Sequence, residues 1–396
     1  MIEKAFTGSR KYWAWILFLL IIIAIGFGYY LLQWYRGLGV TGMSRDVSWG
    51  LYIANMTFLV GVAAGAVMVV LPYYLHNYKA FGKITTFGEF LAVAAVIMCM
   101  LFVTIDLGQP TRLVNLFIHP QPHSILFWDI VVLSVYLLLN LVIGWYLLRS
   151  QYYGEQPKAW VKPLILISIP WAISIHTVTA FIYSGMASRP FWLTALMAPR
   201  FLSSAFAAGP ALLIIACLIM KRFAHFDVGK EALQKLAQIV LYATIITVFF
   251  LIVEGFTVYY SQIPEDMSHL DYFFVGLNGQ TTLIPWIWTC LIFWVAAIVL
   301  LINPRTRKNE KTLVLAAAMV FVSMWLDKGL GLLVPGFTPS PLGAITQYLP
   351  TVPEILISLM VWGIGALILT ILYKITIGVK EERGEEESHA ISFSSQ

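Results

Sequence analysis

Ten apolar segments of about 20 residues dominate this chain, and that length is what a helix needs to cross the hydrocarbon core of a bilayer. Charged residues make up only 11% of the sequence, whereas soluble domains carry about 25%. We therefore predict an all-α, multi-pass integral membrane protein located in the cell membrane. The predicted spans are 13–34, 49–75, 84–107, 124–148, 163–184, 200–220, 237–261, 284–302, 312–333 and 354–376.

The first span has a basic flank, as a signal peptide would, but it is long and no small-residue cleavage site follows it. We therefore predict that it is retained as a helix. The positions of Lys and Arg predict the orientation, because these residues accumulate on the cytoplasmic side. With both termini in the cytoplasm, Lys328 falls within a span and only five basic residues fall outside. These five are Arg36, Arg45, Arg112, Arg189 and Arg200.

The chain divides into one transmembrane domain at 1–380 and a polar cytoplasmic tail at 381–396. Two sets of four spans, the second to fifth and the sixth to ninth, cross the membrane in the same sequence of directions. This symmetry predicts two four-helix bundles, with the first and tenth spans flanking them. In that arrangement His176 of the fifth span corresponds to the Asp327–Lys328 pair of the ninth.

Polar side chains within the predicted spans are few, and ionisable groups in a bilayer are functional candidates by default. All except Glu89 fall in the outer half of the membrane. Arg112 and Arg189, just outside the spans, are expected to cap helix ends. Most of the polar groups within the spans also have an ordinary interpretation: a contact between helices for Asn55, a pair with Arg112 for Asp106, polar caps near the interface for Asp129 and Glu354, a carbonyl partner for His176 and a solvated helix end for Glu89. The complete set is Asn55, Glu89, Asp106, Asp129, His176, Glu254, Asp327, Lys328 and Glu354.

A histidine and a carboxylate in an apolar pocket suit a reaction that releases protons, because both groups accept them. Oxidation of a hydroquinone releases two protons with two electrons. Flat aromatic side chains, of which Trp128, Tyr183 and Trp192 are the candidates, would stack on its ring. The three cysteines lie singly and only His176 lies deep in a span, so we expect no metal, iron–sulfur cluster or haem in this chain. The net charge of +5 follows the membrane orientation and predicts no nucleic-acid partner.

Several stretches resemble the NrfD-like polysulfide reductase membrane subunits, and together they cover nearly the whole chain. They are WGLYIANMTFLVGVAAGA at 49–66, DLGQPTR at 106–112, HPQPHSILFWD at 119–129, SIHTVTAFIYSGMASRPFW at 174–192 and YLPTVPE at 348–354. Within that family, the ten-helix form with the SGMASRPFW ending is most similar to the subunit of sulfite-reductase-associated membrane complexes. That similarity implies anaerobic respiration and sulfur metabolism.

The resemblance implies a haem-free subunit that binds menaquinone or menaquinol near the outer face and exchanges electrons with an extracytoplasmic, ferredoxin-like iron–sulfur subunit. Cytochrome b-like and multihaem cytochrome subunits, and lipid, are further implied partners. By motif, Asn55 hydrogen-bonds the quinone, while Asp106 and His176 exchange its protons. Some members use a tyrosine, for which Tyr183 is the candidate. Leu59 stands where some members have a histidine, so that ligand is missing.

Three interpretations stay open from the sequence. The first is a quinol-oxidising or quinone-reducing enzyme subunit. The second is an ion or proton transporter or channel subunit whose path uses Glu254, Asp327 and Lys328. The third is a membrane anchor without its own redox site. In a mixed case, the chain is a quinol-reactive enzyme subunit in which Glu89 also admits protons from the cytoplasm.

Overall fold

The computed structural model describes the backbone of residues 1–394 and the side chains of residues 1–383. Within that part, every predicted span is a helix long and apolar enough to cross a membrane, and there is no β-strand, which confirms the all-α prediction with ten spans. The helices are α1 (Arg10–Arg36), α2 (Leu51–Leu75), α3 (Thr85–Asp106), α4 (Ile125–Tyr153), α5 (Val161–Ser184), α6 (Met197–Phe223), α7 (Lys230–Ser261), α8 (Ile284–Ile302), α9 (Glu310–Phe337) and α10 (Val352–Arg383).

Shorter helices connect the spans. They are Ile2–Phe6, Leu38–Val40, Lys79–Lys83, Pro110–Val114, Asn115–Ile118, Pro190–Trp192, Pro264–Phe274 and Pro304–Lys308. The helix that contains α10 continues to Ser394. Most side chains of the predicted polar tail at 381–396, and the last two residues entirely, lie outside the described part, so the boundary at 380 stays a prediction.

Local sequence sets several helix ends. The Ser9 hydroxyl accepts a hydrogen bond from the Tyr12 amide at the start of α1, which is the ordinary N-cap arrangement. Gly154 ends α4 in the left-handed conformation, which glycine adopts without a steric penalty. Asn303 and Asn309 cap the two helices that follow α8 in the same way as Ser9 caps α1. These caps fix where those helices begin or end.

The α2 helix is the centre of the molecule, and nearly all of its side chains are buried. It packs against α3, α5, α6 and α9, while α1 packs mainly on α10 and exposes most of its surface. Neighbouring helices pack within both predicted groups, α3 on α4 and α4 on α5, α6 on α7 and α8 on α9. The α2–α6 and α5–α6 contacts join the groups. The division into two bundles and the cytoplasmic termini stay predictions, and the outer and inner sides named below are those of the predicted orientation.

Two irregularities shape the core. The α2 helix is interrupted between Ala64 and Val67, where Gly65 lies against Gly209 of α6: a Cβ on Gly65 would stand only 2.3 Å from the Gly209 Cα. The α9 helix contains a π-helical turn, Leu326–Leu330, which carries the adjacent acid and base of that helix inward. Such turns are rare and occur mostly at functional sites.

Candidate functional site

His176 lies on α5 and is completely buried. Neither ring nitrogen has a hydrogen-bond partner among the described residues, so the alternative of a histidine bonded to a neighbouring carbonyl is wrong. Buried polar groups normally have partners, and an unpaired one needs an explanation. The nearest charge that acts electrostatically on the imidazole is the ammonium of Lys328. The ring is therefore an unoccupied proton acceptor or donor sealed inside the protein.

One face of α5 continues from His176 towards the outer side through Thr179 and Tyr183, because residues three and seven positions apart share a helix face. The Thr179 hydroxyl donates to the buried carboxylate of Asp129 on α4, at 2.6 Å. The Tyr183 hydroxyl forms a short hydrogen bond with the Thr57 hydroxyl of α2. Asp129 is therefore a link between helices and not the solvated interfacial cap that its position suggested.

An aromatic cluster, consisting of Trp49, Tyr183, Trp192 and Phe337, covers the outer end of this face. The Tyr183 and Trp192 rings are 5.2 Å apart, the Trp49 and Trp192 rings stack at 6.1 Å, and Phe337 meets Trp192 edge to face at 5.0 Å. The Trp192 indole is buried and donates to the Leu332 carbonyl at 2.9 Å. Two of the three predicted aromatic residues, Tyr183 and Trp192, are thus in direct contact.

Trp128, the third predicted aromatic residue, is not part of the aromatic cluster. It lies near the start of α4 with 46% of its surface exposed. Its indole donates to the Pro122 carbonyl and its ring meets Phe127. This placement is that of an interfacial anchor, in which one end of the ring is wet and the other apolar.

Asp106 is the last residue of α3, and one of its carboxylate oxygens is buried without a partner. The described residues contain no ion pair between Asp106 and Arg112, so that alternative is wrong. Beside it, the Gln33 amide of α1 donates to the Ile105 carbonyl at 2.7 Å and accepts from the Tyr52 hydroxyl. Asp106 therefore lies next to a hydrogen-bonded junction of α1, α2 and α3.

A narrow cleft opens at this junction, between the outer end of α1 and the turn that follows Asp106. Its volume is about 10 Å³, which is room for about one water. The lining residues are Tyr30, Gln33, Trp34, Gly37, Leu38, Leu107, Gly108 and Pro110. His176 does not line it, so a ring-sized ligand at either residue requires the surrounding helices to separate.

Asn55 holds helices together. Its side-chain oxygen accepts from the indoles of Trp325 on α9 and Trp362 on α10, at 2.9 and 3.1 Å, and its amide nitrogen donates to the Leu51 carbonyl. The interpretation as a contact between helices is confirmed. Only one N–H of the amide is left for a quinone, since both other polar positions are engaged.

Glu354 caps the outer ends of α2 and α10. Its carboxylate accepts from the backbone amides of Gly42 and Leu51, each at 3.0 Å, and from the hydroxyl of Tyr348. Burial and this neighbouring carboxylate raise the pKa of the Tyr348 phenol, which stays protonated and donates. The interpretation of Glu354 as a polar cap is confirmed, although the cap is fully buried.

A buried ion cluster, consisting of Arg200, Glu254, Asp327 and Lys328, joins α6, α7 and α9. The Arg200 guanidinium contacts the Glu254 carboxylate closely and donates to Asp327 at 3.1 Å. The Lys328 ammonium donates to the Phe201 carbonyl at 3.1 Å and lies 4.1 Å from the Phe201 ring centre. Arg200, the first residue of the predicted span 200–220, lies within the first turn of α6 and is buried.

Arg189 and Glu89 complete the predicted set. Arg189 donates to the Phe337 carbonyl at 3.1 Å and lies over the Phe337 ring, so it caps the end of α9 as expected. Burial lowers the pKa of its guanidinium, which stays charged. The interpretation of Glu89 as a solvated helix end is wrong: the residue is 1% exposed, and neither carboxylate oxygen has a partner.

Sequence reasoning missed three contributors to the outer site. Gln33, Thr57 and Tyr348 are each hydrogen-bonded to a residue on another helix or loop. Thr57 and Tyr348 carried a signal, since they lie in the stretches at 49–66 and 348–354. Within residues 1–383, no group of three or more His, Cys, Asp or Glu side chains is arranged to hold a metal ion.

Ten apolar helices with proton-accepting groups buried among them define a helical integral membrane subunit of the cytoplasmic membrane. Residues 39–339 match the family described as polysulphide reductase NrfD. The chain belongs to this family, as the motifs predicted.

Three relatives show how the family is used. A putative membrane subunit of dimethyl sulfoxide reductase from Halobacterium salinarum is 26% identical over 92% of this chain and 91% of its own length. An Hdr-like menaquinol oxidoreductase integral membrane subunit from Archaeoglobus fulgidus is 27% identical over 97% and 98%. A menaquinone reductase integral membrane subunit from Nitratidesulfovibrio vulgaris is 22% identical over 92% and 91%. All three names are those of membrane subunits of oxidoreductases.

Proposed function

We propose that this chain is the quinone-reactive membrane subunit of a respiratory oxidoreductase, which exchanges electrons between menaquinol and an iron–sulfur subunit docked on the outer face. Two of its relatives are named for menaquinol or menaquinone. The observation that carries the proposal is the presence of two buried, unpaired proton-exchanging groups, Asp106 and His176, in the outer half of the helical core.

Quinol oxidation requires two such proton-exchanging groups. Oxidation of a quinol to a quinone releases two electrons and two protons, so a site without metal needs two acceptors for the protons. Asp106 and His176 are both available, because neither the free Asp106 oxygen nor the imidazole is used in the fold. Tyr183 interacts electrostatically with Asp106 and Asp129, and it lies on the helix face of His176. Its ring, two helical turns from His176, is the candidate for bordering a flat headgroup.

The cleft beside Asp106 is too small for the headgroup, and this shapes the proposal. The cleft beside Asp106 holds about one water, so quinol entry requires α1 to move away from the turn at 107–110. Because α1 packs mainly on α10, it separates from the rest of the core with the loss of few contacts. Entry from the lipid past α1 leaves the aromatic cluster undisturbed, because none of its four residues lines the cleft.

The finer partner assignments belong to this proposal. A ferredoxin-like subunit on the outer loops accepts the electrons, and cytochrome b-like and multihaem cytochrome subunits complete the complex. The SGMASRPFW stretch favours the sulfite-reductase-associated branch and thus sulfur metabolism. The ion cluster argues against the transporter interpretation, because Glu254 and Asp327 are bound to Arg200 and not open to a permeating ion.

The test uses the complex purified with its partner subunits. Asp106→Asn and His176→Gln should each lower menaquinol oxidation by about 10²-fold or more, since each removes a proton acceptor. The matched control is His119→Ala, which changes an exposed histidine of an outer loop and should leave turnover unchanged. Subunit content and bound menaquinone are measured in every preparation. A fully assembled complex of the Asp106→Asn, His176→Gln double variant with wild-type turnover would contradict the proposal.

A further inference from the structure

Glu89 is a buried carboxylate that the outer site does not use. It lies four residues into α3 from the inner end, which is about 6 Å along the helix axis. Both of its oxygens lack a hydrogen-bond partner. Thr86, one turn nearer the inner end on the same helix face, has a buried hydroxyl that also lacks a partner. Two unpaired polar side chains thus follow each other from the inner surface into the core.

The buried carboxylates in the outer half of the molecule have structural roles, with which Glu89 can be compared. Asp129 accepts a hydroxyl hydrogen bond, Glu254 binds a guanidinium, and Glu354 collects backbone amides. Each of these groups holds two segments together. Glu89 holds nothing together, and no ion pair to it occurs among the described side chains. The presence of this carboxylate at a position that is only 1% exposed therefore needs a reason other than packing.

The surroundings of Glu89 are neutral. From α2 and α4, the titratable groups that interact with it are Tyr74 and Tyr136. Tyr136 donates to the Ala63 carbonyl at the interruption of α2. From α10, Tyr373 donates to the Phe87 carbonyl, and the Lys380 ammonium donates to the Lys83 carbonyl at the inner surface.

A charged carboxylate in such a neutral, low-dielectric place is costly, and a bound proton removes that cost. A proton can reach Glu89 from the inner water through a hydroxyl, which both accepts and donates hydrogen bonds. The Thr86 hydroxyl, which is itself buried and without a partner, lies one helical turn from Glu89 on the side of that water.

We propose that Glu89 is a reversible proton-binding site in the inner half of the α2–α3–α4 core, loaded from the inner aqueous side. It is separate from the outer site, and it stands whether or not a quinone binds near Asp106. The ligand is a proton, which binds to a carboxylate oxygen of Glu89 and leaves the same way.

The first experiment labels the purified full-length chain in lipid with the apolar reagent dicyclohexylcarbodiimide, which reacts with protonated carboxyl groups in apolar surroundings. Peptide mass spectrometry locates the adduct. We expect an adduct on Glu89 and none on Glu254, because Glu254 is also buried but is bound to Arg200. The wild-type protein suffices for this comparison, so the outcome does not depend on the folding of a variant. An unlabelled Glu89 would overturn the proposal.

The second experiment tests reversibility by infrared spectroscopy of the same sample in H₂O and D₂O. A protonated carboxyl gives a separate carbonyl band, which should shift in D₂O and be absent from Glu89→Gln but present in Glu254→Gln. A Glu89 band that never shifts would mean a permanently sealed acid and would overturn the proposal. Neither experiment involves quinol, so a failure here leaves the outer site untouched, and the reverse also holds.

Discussion

The ion cluster makes a prediction whose size follows from its geometry. Arg200 is the shared partner of Glu254 and Asp327, and all three side chains are at most 9% exposed. Arg200→Met keeps the length of the side chain and removes the charge, which leaves two buried carboxylates opposite Lys328 alone. Removal of one partner from a buried ion pair costs about 3–5 kcal/mol. We expect the lower part of that range, because Lys328 is close enough to offset part of the excess charge.

The control and the assay make this prediction specific. In the double variant Arg200→Met, Glu254→Gln, the carboxylate of Asp327 and the ammonium of Lys328 remain. The second substitution should therefore restore about 1–3 kcal/mol of the free energy of unfolding. Lys221→Met removes a cation of the same charge that binds Asp227 and Glu310, each at 2.7 Å, where the groups are wet, and should cost about 0–1 kcal/mol. The free energy of unfolding is measured by detergent-induced reversible unfolding in mixed micelles. An Arg200→Met protein no less stable than Lys221→Met would refute the reasoning.

Two further predictions concern packing and pH. Gly65→Ala should cost about 1–3 kcal/mol or prevent folding, because its Cβ would stand against the backbone of α6. The control, Gly255→Ala, places its Cβ in open space and should be neutral. The folded yield from membranes checks both substitutions. His269 donates from Nδ1 to the Pro335 carbonyl at 2.6 Å, and its burial lowers its pKa below the usual 6.5. The unfolded segment then binds more protons, so stability around residues 264–274 is present above about pH 6.5 and is lost as pH falls. Protection factors for hydrogen exchange there, which are corrected for the intrinsic pH dependence of exchange, should fall between about pH 7.5 and pH 5.5 and lose this dependence in His269→Gln.

The spans could be predicted because length and apolarity are properties of a single segment. Tyr183 and Trp192 could be named as aromatic candidates, and Arg189 as a helix cap, from their places in the sequence. In each case a local pattern was sufficient.

The partners of the polar groups could not be predicted, because each is set by the rotation of one helix against another. Arg200 begins a span in the sequence, a position that indicates no partner, yet the register of α6 turns it towards Glu254 and Asp327. Glu89 lies near a helix end, where solvent is the ordinary expectation, yet α2 and α4 cover it. The engagement of Asn55 by two indoles likewise depends on α9 and α10 meeting at α2.

The most direct test of the central claim is a cryo-EM structure of the native complex purified with its quinone retained. We predict density for the headgroup between α1 and the turn at 107–110, with a ring oxygen within hydrogen-bonding distance of Asp106 or His176 and the aromatic cluster between the ring and the partner subunit. A quinone bound elsewhere, with Asp106 and His176 still sealed and unpaired, would contradict the account.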